Sequence, residues 1–161
     1  MAEGRLIPTI IFRHRVPGLT EQGLARFVRR ASRAVGLTGM VTVLVTGDRH
    51  MRQLNYRFRG KDRPTDVLSF VPASAVAGVS GDVAISRGMA SRNARALGHS
   101  VAEEIRILVL HGILHLAGFD HERDQGQMAD KELKLRRRLG LEIGLIERGS
   151  AARKRGVRQP A

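Results

Sequence analysis

Three of the six histidines fall within eleven residues, in the stretch HGILHLAGFDH, at His111, His115 and His121. On a helix, residues four apart share one face about one turn apart, so His111 and His115 can present their imidazoles to a single point. Gly118 follows three residues after His115. Glycine suits the left-handed turn that ends many helices, and a sharp turn there would bring His121 back to the same point. Three neutral imidazoles leave the fourth position of a tetrahedral ion for water, the arrangement of a catalytic rather than a closed structural zinc site. A lone histidine on an apolar face is ordinarily a hydrogen-bonded core residue. Here two rings sit in the apolar run ILVLHGILHLAG. Each brings a ring nitrogen that needs a partner, and one ion satisfies several such nitrogens at once. Ligand type and availability make one zinc ion the expected cofactor, ahead of nickel, cobalt or copper. A metal so held can polarise a phosphoryl oxygen or lower the pKa of a bound water.

The H-x3-H-x5-H spacing, with glycine three residues before the last histidine, overlaps the pattern of metzincin proteases. Those enzymes place glutamate directly after the first histidine as general base. Here that position is Gly112, which argues against peptide hydrolysis. The general base stays unassigned. Asp120, beside a ligand position, is a candidate either for that role or for orienting an imidazole. Asp66 and Asp82 are further candidates, or strand-terminating residues. His99 is a weaker one, expected at the surface ahead of a helix cap.

A second stretch, LNYRFRGKDRPTDVLSF, crowds Arg57, Arg59, Lys61 and Arg63 ahead of an apolar segment. Taken alone it reads as a solvated turn shaped by Asp62 and Pro64. A guanidinium in such a place can also hold a phosphate through two parallel hydrogen bonds and offset charge growing on it in a transition state.

Composition bounds what these residues can serve. The chain has 161 residues, 42% apolar, which suits one globular domain. With no cysteine there is neither a disulfide nor a thiolate nucleophile, which is compatible with a cytoplasmic protein. Arg5, Arg13 and Arg15 interrupt the first apolar stretch, so no secretory signal is expected there. The longest apolar run, residues 107–119, is too short to span a bilayer, and neither a membrane nor a nucleotide cofactor is expected as a partner. Aromatics make up only 4%, which weakens any reading built on base stacking. Net charge is +13, with 28 basic and 15 acidic residues. The segment 148–161 carries five basic residues and no acidic one, and without it the body is still at +8. Such a balance favours a polyanionic partner, nucleic acid first.

The elements that must position these residues follow from periodicity and caps. Residues 7–13 (IPTIIFR), 40–46 (MVTVLVT), 66–71 (DVLSFV) and 81–85 (GDVAI) read as strands. Thr20 can cap a helix to about residue 35, with Leu24, Phe27, Val28 and Ala31 at helical spacing. Asp48 can cap a short helix to about residue 55. Residues 57–65 and 72–80 read as loops. Ser86 can cap a helix to about residue 97, and Ser100 with Glu103 forms a capping box for a helix over 101–117. Asp124 can cap a last helix to about residue 139. The order β-α-β-α-β-β-α-α-α predicts an α+β fold, a mixed four-stranded sheet packed with about five helices. The expected division is one domain over residues 1–147 and a basic, disordered tail over 148–161.

Together the two motifs resemble one family. HGILHLAGFDH is similar to the HGxLHLxGxDH signature of the YbeY family of bacterial rRNA maturation endoribonucleases. FRGKDRPTDVLSF (58–70) resembles that family's second signature and GDVAIS (81–86) a third, in the family's order. The resemblance covers about residues 5–145. Phe58 and Phe119 stand where tyrosine is common, and the tail lies outside the pattern. The resemblance implies a metal site in a cleft, with zinc on His111, His115 and His121 and a functional arginine at Arg59. It also implies cleavage of single-stranded RNA, with roles in 16S rRNA 3′-end maturation and ribosome quality control on the small subunit. Two rival functions stay in view: a ribosome-associated assembly factor with a structural zinc, and a zinc peptidase. The nucleophile is open between metal-activated water and the ribose 2′-OH, and so is the oligomeric state.

Overall fold

The computed structural model describes residues 7–74 and 78–141. The basic segment 148–161 and residues 142–147 lie outside the described residues. Four strands are present: β1 (Thr9–Phe12), β2 (Met40–Thr46), β3 (Val67–Phe70) and β4 (Val79–Ser86). Five helices accompany them: α1 (Glu21–Ala34), α2 (Asp48–Arg59), α3 (Arg87–Leu97), α4 (Val101–Leu116) and α5 (Gln127–Leu139). The sheet order is β1-β2-β4-β3. β1, β2 and β4 run parallel, and β3 pairs antiparallel with β4 at the edge. This is the mixed α+β sheet that the element order predicts.

The strands alternate between two apolar faces, as the two-residue period of a pleated strand requires. Val41, Val43, Val45, Val83 and Ile85 enter the main core. Leu44, Ala84, Leu68 and Phe70 turn to the other side, where they meet Met51 and Leu54 of α2. α4 is the central helix of the main core. Its buried residues include Ile105, Ile107, Leu108, Val109, Leu110, Ile113 and Leu114, so it is apolar nearly all round and enclosed by its neighbours. α1 lays Leu24, Phe27, Val28 and Ala31 onto the same core, and Thr20 caps it by accepting the Gly23 N–H at 3.0 Å.

Four boundaries differ from the sequence expectation. α2 runs on to Arg59 and stops at Gly60, whose φ of 67° ends it in the left-handed region. Arg57 and Arg59 therefore belong to the last helical turn, not to a loop, where their charge complements the helix C-terminus. Asp48 is the first residue of α2 rather than its cap, a position held by Gly47. Its carboxylate instead accepts from Ser86 Oγ and, at 2.8 Å, from Arg92. β4 begins at Val79, inside the expected loop, with a bulge where its pairing partners step from Met40 to Val41. Asp124 lies two residues outside the cap of α5, Gly126, yet its carboxylate accepts the N–H groups of Gly126 and Met128 at 2.9 and 2.8 Å.

Candidate metal centre

α4 ends in a Schellman motif, set by Gly118 at φ 96°. The Gly118 N–H bonds the His115 carbonyl at 3.0 Å, and the Phe119 N–H bonds the Leu114 carbonyl at 3.1 Å. Phe119 packs back against the core, so the chain reverses over the last turn of α4. That reversal carries His121 toward His111 and His115. The ring centroids are 4.8, 5.3 and 5.5 Å apart. One nitrogen from each ring lies within 4.8 Å of the others, a grouping able to hold a metal ion. His111 Nε2 and His115 Nε2 are 3.2 Å apart. Two nitrogens on a tetrahedral zinc at ordinary bond lengths stand about 3.3 Å apart, so the pair fits such an ion. Burial is graded: His111 is buried, His115 half-buried and His121 exposed.

Burial and the neighbouring His111 and His121 rings hold His115 below the ordinary histidine pKa, against the upward pull of the Asp120 carboxylate. A neutral ring keeps the lone pair that a cation needs.

Gly112 explains its own identity. A Cβ there would lie 2.6 and 2.9 Å from the Val83 methyls and 3.2 Å from Ser69 Oγ. Ser69 Oγ donates to the Gly112 carbonyl at 3.1 Å, so α4 rests directly on β3 and β4 at this point. The position held by glutamate in the protease pattern faces the sheet here and has no room for a carboxylate.

The histidines open onto a cleft of about 1140 Å³ that also takes in Arg59, Lys61 and Arg63. The turn carrying Lys61 and Arg63 is fastened from beneath. Buried Asn55 donates from Nδ2 to the Arg63 carbonyl at 2.9 Å, and the Lys61 N–H bonds the Asn55 carbonyl at 3.3 Å. Arg52 grips Asp62 with two hydrogen bonds of 2.8 and 3.1 Å. The structure thus brings Arg59 and the three histidines into one cleft.

The other candidates separate. Asp66 and Asp120 line the cleft. Asp66 accepts from Asn93 at 3.3 Å and Asp120 from the Glu122 N–H at 3.1 Å. Asp82 is exposed on β4 and is not among the residues lining the cleft. His99 is no surface residue: its ring meets the fully buried Glu104 at 2.5 Å, outside the cleft lining. Sequence reasoning missed Glu132, which is 1% exposed, with Oε1 3.8 Å from His111 Nδ1. It sits on α5, outside both motifs, and its only signal was a charged residue at helical spacing between Met128 and Leu135, both of which are buried.

Comparison with known proteins bears on the family. The family model described as Endoribonuclease YbeY matches residues 14–140. A Koribacter versatilis protein named Endoribonuclease YbeY is 51% identical over 150 residues, covering 93% of this chain and 97% of the relative. A Solibacter usitatus protein of the same name is 47% identical, over 87% and 93% of the two chains. The solution structure of TM1509 from Thermotoga maritima aligns with a TM-score of 0.51 at 31% identity, over 78% of this chain and 85% of that one. With its histidine cluster and its basic turn both inside the matched region, the chain belongs to the YbeY endoribonuclease family.

Proposed function

We propose that this protein is a zinc-dependent endoribonuclease that cuts single-stranded RNA, acting in 16S rRNA 3′-end maturation and ribosome quality control in the cytoplasm. The observation that carries the catalytic reading is the shared cleft: Arg59, Lys61 and Arg63 line the same space as His111, His115 and His121. Three cations beside a metal-binding cluster suit a phosphodiester, whose negative charge grows in the transition state. The names of the relatives support an RNA substrate. The ribosomal role rests on the family resemblance.

His111, His115 and His121 would hold the zinc, and the bound ion supplies Lewis acidity toward the reacting phosphate. Arg59 would bind the phosphate and offset its growing charge. Lys61 and Arg63 would hold neighbouring phosphates of the strand, and the hydrogen bonds of Asn55 and Asp62 keep that turn in place. The catalytic domain is assigned to residues 1–147, with 148–161 as a basic extension that adds affinity for RNA.

Purified wild type, Arg59→Ala and His115→Ala, each with its metal content measured, test this on single-stranded RNA. Arg59→Ala should keep its zinc and lose most activity. Loss of zinc from that variant would make Arg59 structural. Full activity in metal-free His115→Ala would remove the enzyme claim. A substrate with deoxyribose at the scissile position separates the nucleophiles, because undiminished cleavage excludes attack by the 2′-OH.

A further inference from the structure

His111 is the most enclosed of the three histidines, and both its ring nitrogens need an account. Nε2 faces Nε2 of His115 at 3.2 Å, so it is the nitrogen turned toward the cluster. Nδ1 points the other way, buried and without a hydrogen-bond partner. Behind it stands Glu132, a carboxylate on α5 that is itself 1% exposed, with Oε1 3.8 Å away. A buried carboxylate calls for charge or hydrogen bonds around it, and the His111 ring is one group placed to supply them. Here it stands directly behind a ring whose other nitrogen joins a cation-binding group.

We propose that Glu132 is the positioning residue of the metal centre, taking the Nδ1–H of His111 so that Nε2 offers its lone pair to the cleft. The inference rests on the metal reading given above. A carboxylate on the far nitrogen of a ligand histidine fixes the tautomer, locks the ring orientation and strengthens the ligand. At 3.8 Å the contact is longer than a hydrogen bond. Closing it takes a shift of about 1 Å, within reach of a glutamate side chain whose three torsions can each adjust. The two aspartates in the cleft do not fill this place. Asp66 is engaged with Asn93 and Asp120 with the Glu122 N–H, whereas Glu132 reaches His111 from the opposite, buried side. The pairing also makes α5 part of the site, although no residue of α5 is a ligand candidate.

The test compares wild type, Glu132→Gln and Glu132→Leu in the full chain, with zinc affinity read by chelator competition and folding checked by circular dichroism. Imidazole-nitrogen NMR of the zinc-free protein reports the His111 tautomer. Wild type should hold the Nδ1–H form. Glu132→Leu should give a mixture of tautomers and bind zinc about 10–100-fold more weakly. Glu132→Gln, whose amide oxygen still accepts from Nδ1–H, should keep the tautomer and lose several-fold in affinity. A folded Glu132→Leu protein with wild-type affinity and an unchanged tautomer would overturn the proposal and leave Glu132 as packing between α4 and α5. If the leucine variant does not fold, the glutamine variant decides: unchanged affinity overturns the pairing, and a several-fold loss with the tautomer kept supports it. Failure of the metal reading looks different. Wild type would then take up no zinc while the His111 tautomer still depended on Glu132.

Discussion

At Gly112 a missing side chain decides how close α4 lies to the sheet. Gly112→Ala should place a methyl group against Val83 at 2.6 Å. Overpacking of this kind costs roughly 1–3 kcal/mol, more than the about 1 kcal/mol that alanine returns in helix propensity. The expected outcome is a lower denaturant midpoint, with α4 displaced from β4 and metal affinity reduced. An unchanged midpoint would show that Val83 yields freely. At His115 the prediction concerns acid. Burial and its two ring neighbours lower its pKa. Protons compete with a cation for the same lone pair, so the His115 ring is free to bind at neutral pH and becomes blocked as pH falls through the lowered value. Its protonation should come below the ordinary histidine value of 6.5. Imidazole NMR of the zinc-free protein followed across pH checks this, and a His115 midpoint above 6.5 would contradict it. The histidine grouping was legible because metal-binding chemistry is written in type and spacing, whereas Arg59 stood out only through the family resemblance. Glu132 was not legible, because its meaning depends on which helix packs behind His111, a tertiary fact with no local pattern.

The element that organises the site is the stop of α4. Gly118 has open space around its missing side chain, so a substitution there meets only the backbone cost of its φ of 96°. Gly118→Ala should destabilise the protein by about 1–2 kcal/mol and weaken zinc binding by displacing His121. A loss of stability with zinc affinity intact would show that the approach of His121 does not depend on this turn. The end of α2 has a similar part on the basic side. Asn55→Ala removes the hydrogen bond that holds the Arg63 carbonyl. It should cost about 1 kcal/mol and lower RNA affinity while leaving zinc content unchanged. Gly118 could be read as a stop because glycine after an apolar helix carries that meaning anywhere. The extension of α2 was harder to see, since the polar run YRFR shows no apolar period. Its last turn is held from outside, by Phe58 against Phe70 with ring centroids 5.1 Å apart and by the fastened turn that follows.

Over the whole molecule, charge sets the terms of binding. With the net charge at +13, RNA affinity should fall steeply as salt rises, since each phosphate contact releases counterions. Deleting residues 148–161 removes five basic side chains and should reduce the log–log salt slope by at most about 3.5, with zinc content unchanged. An unaltered slope would mean that the segment does not touch RNA. The α+β class was legible because β-branched strands and capped helices are distinct along the chain, with three helices in a run after the last strand. Strand order was less so. That β4 inserts between β2 and β3 depends on pairing partners far apart in sequence, and the start of β4 lay hidden in a small-residue run because Val79 takes its register from Met40 of β2, with Ser80 bulged beside it.

The unequal exposure of the three histidines implies an order of events for ion exchange. His111 and His115 share one rigid, enclosed helix, whereas His121 stands on the exposed chain beyond Gly118. His111 and His115 would meet an ion as a pair already set on one helix, and His121 would be the last of the three to join. His121 would likewise be the first of the three to let go. His121→Ala should therefore speed zinc release more than it slows zinc capture. Stopped-flow exchange with a chromophoric chelator reads both rates.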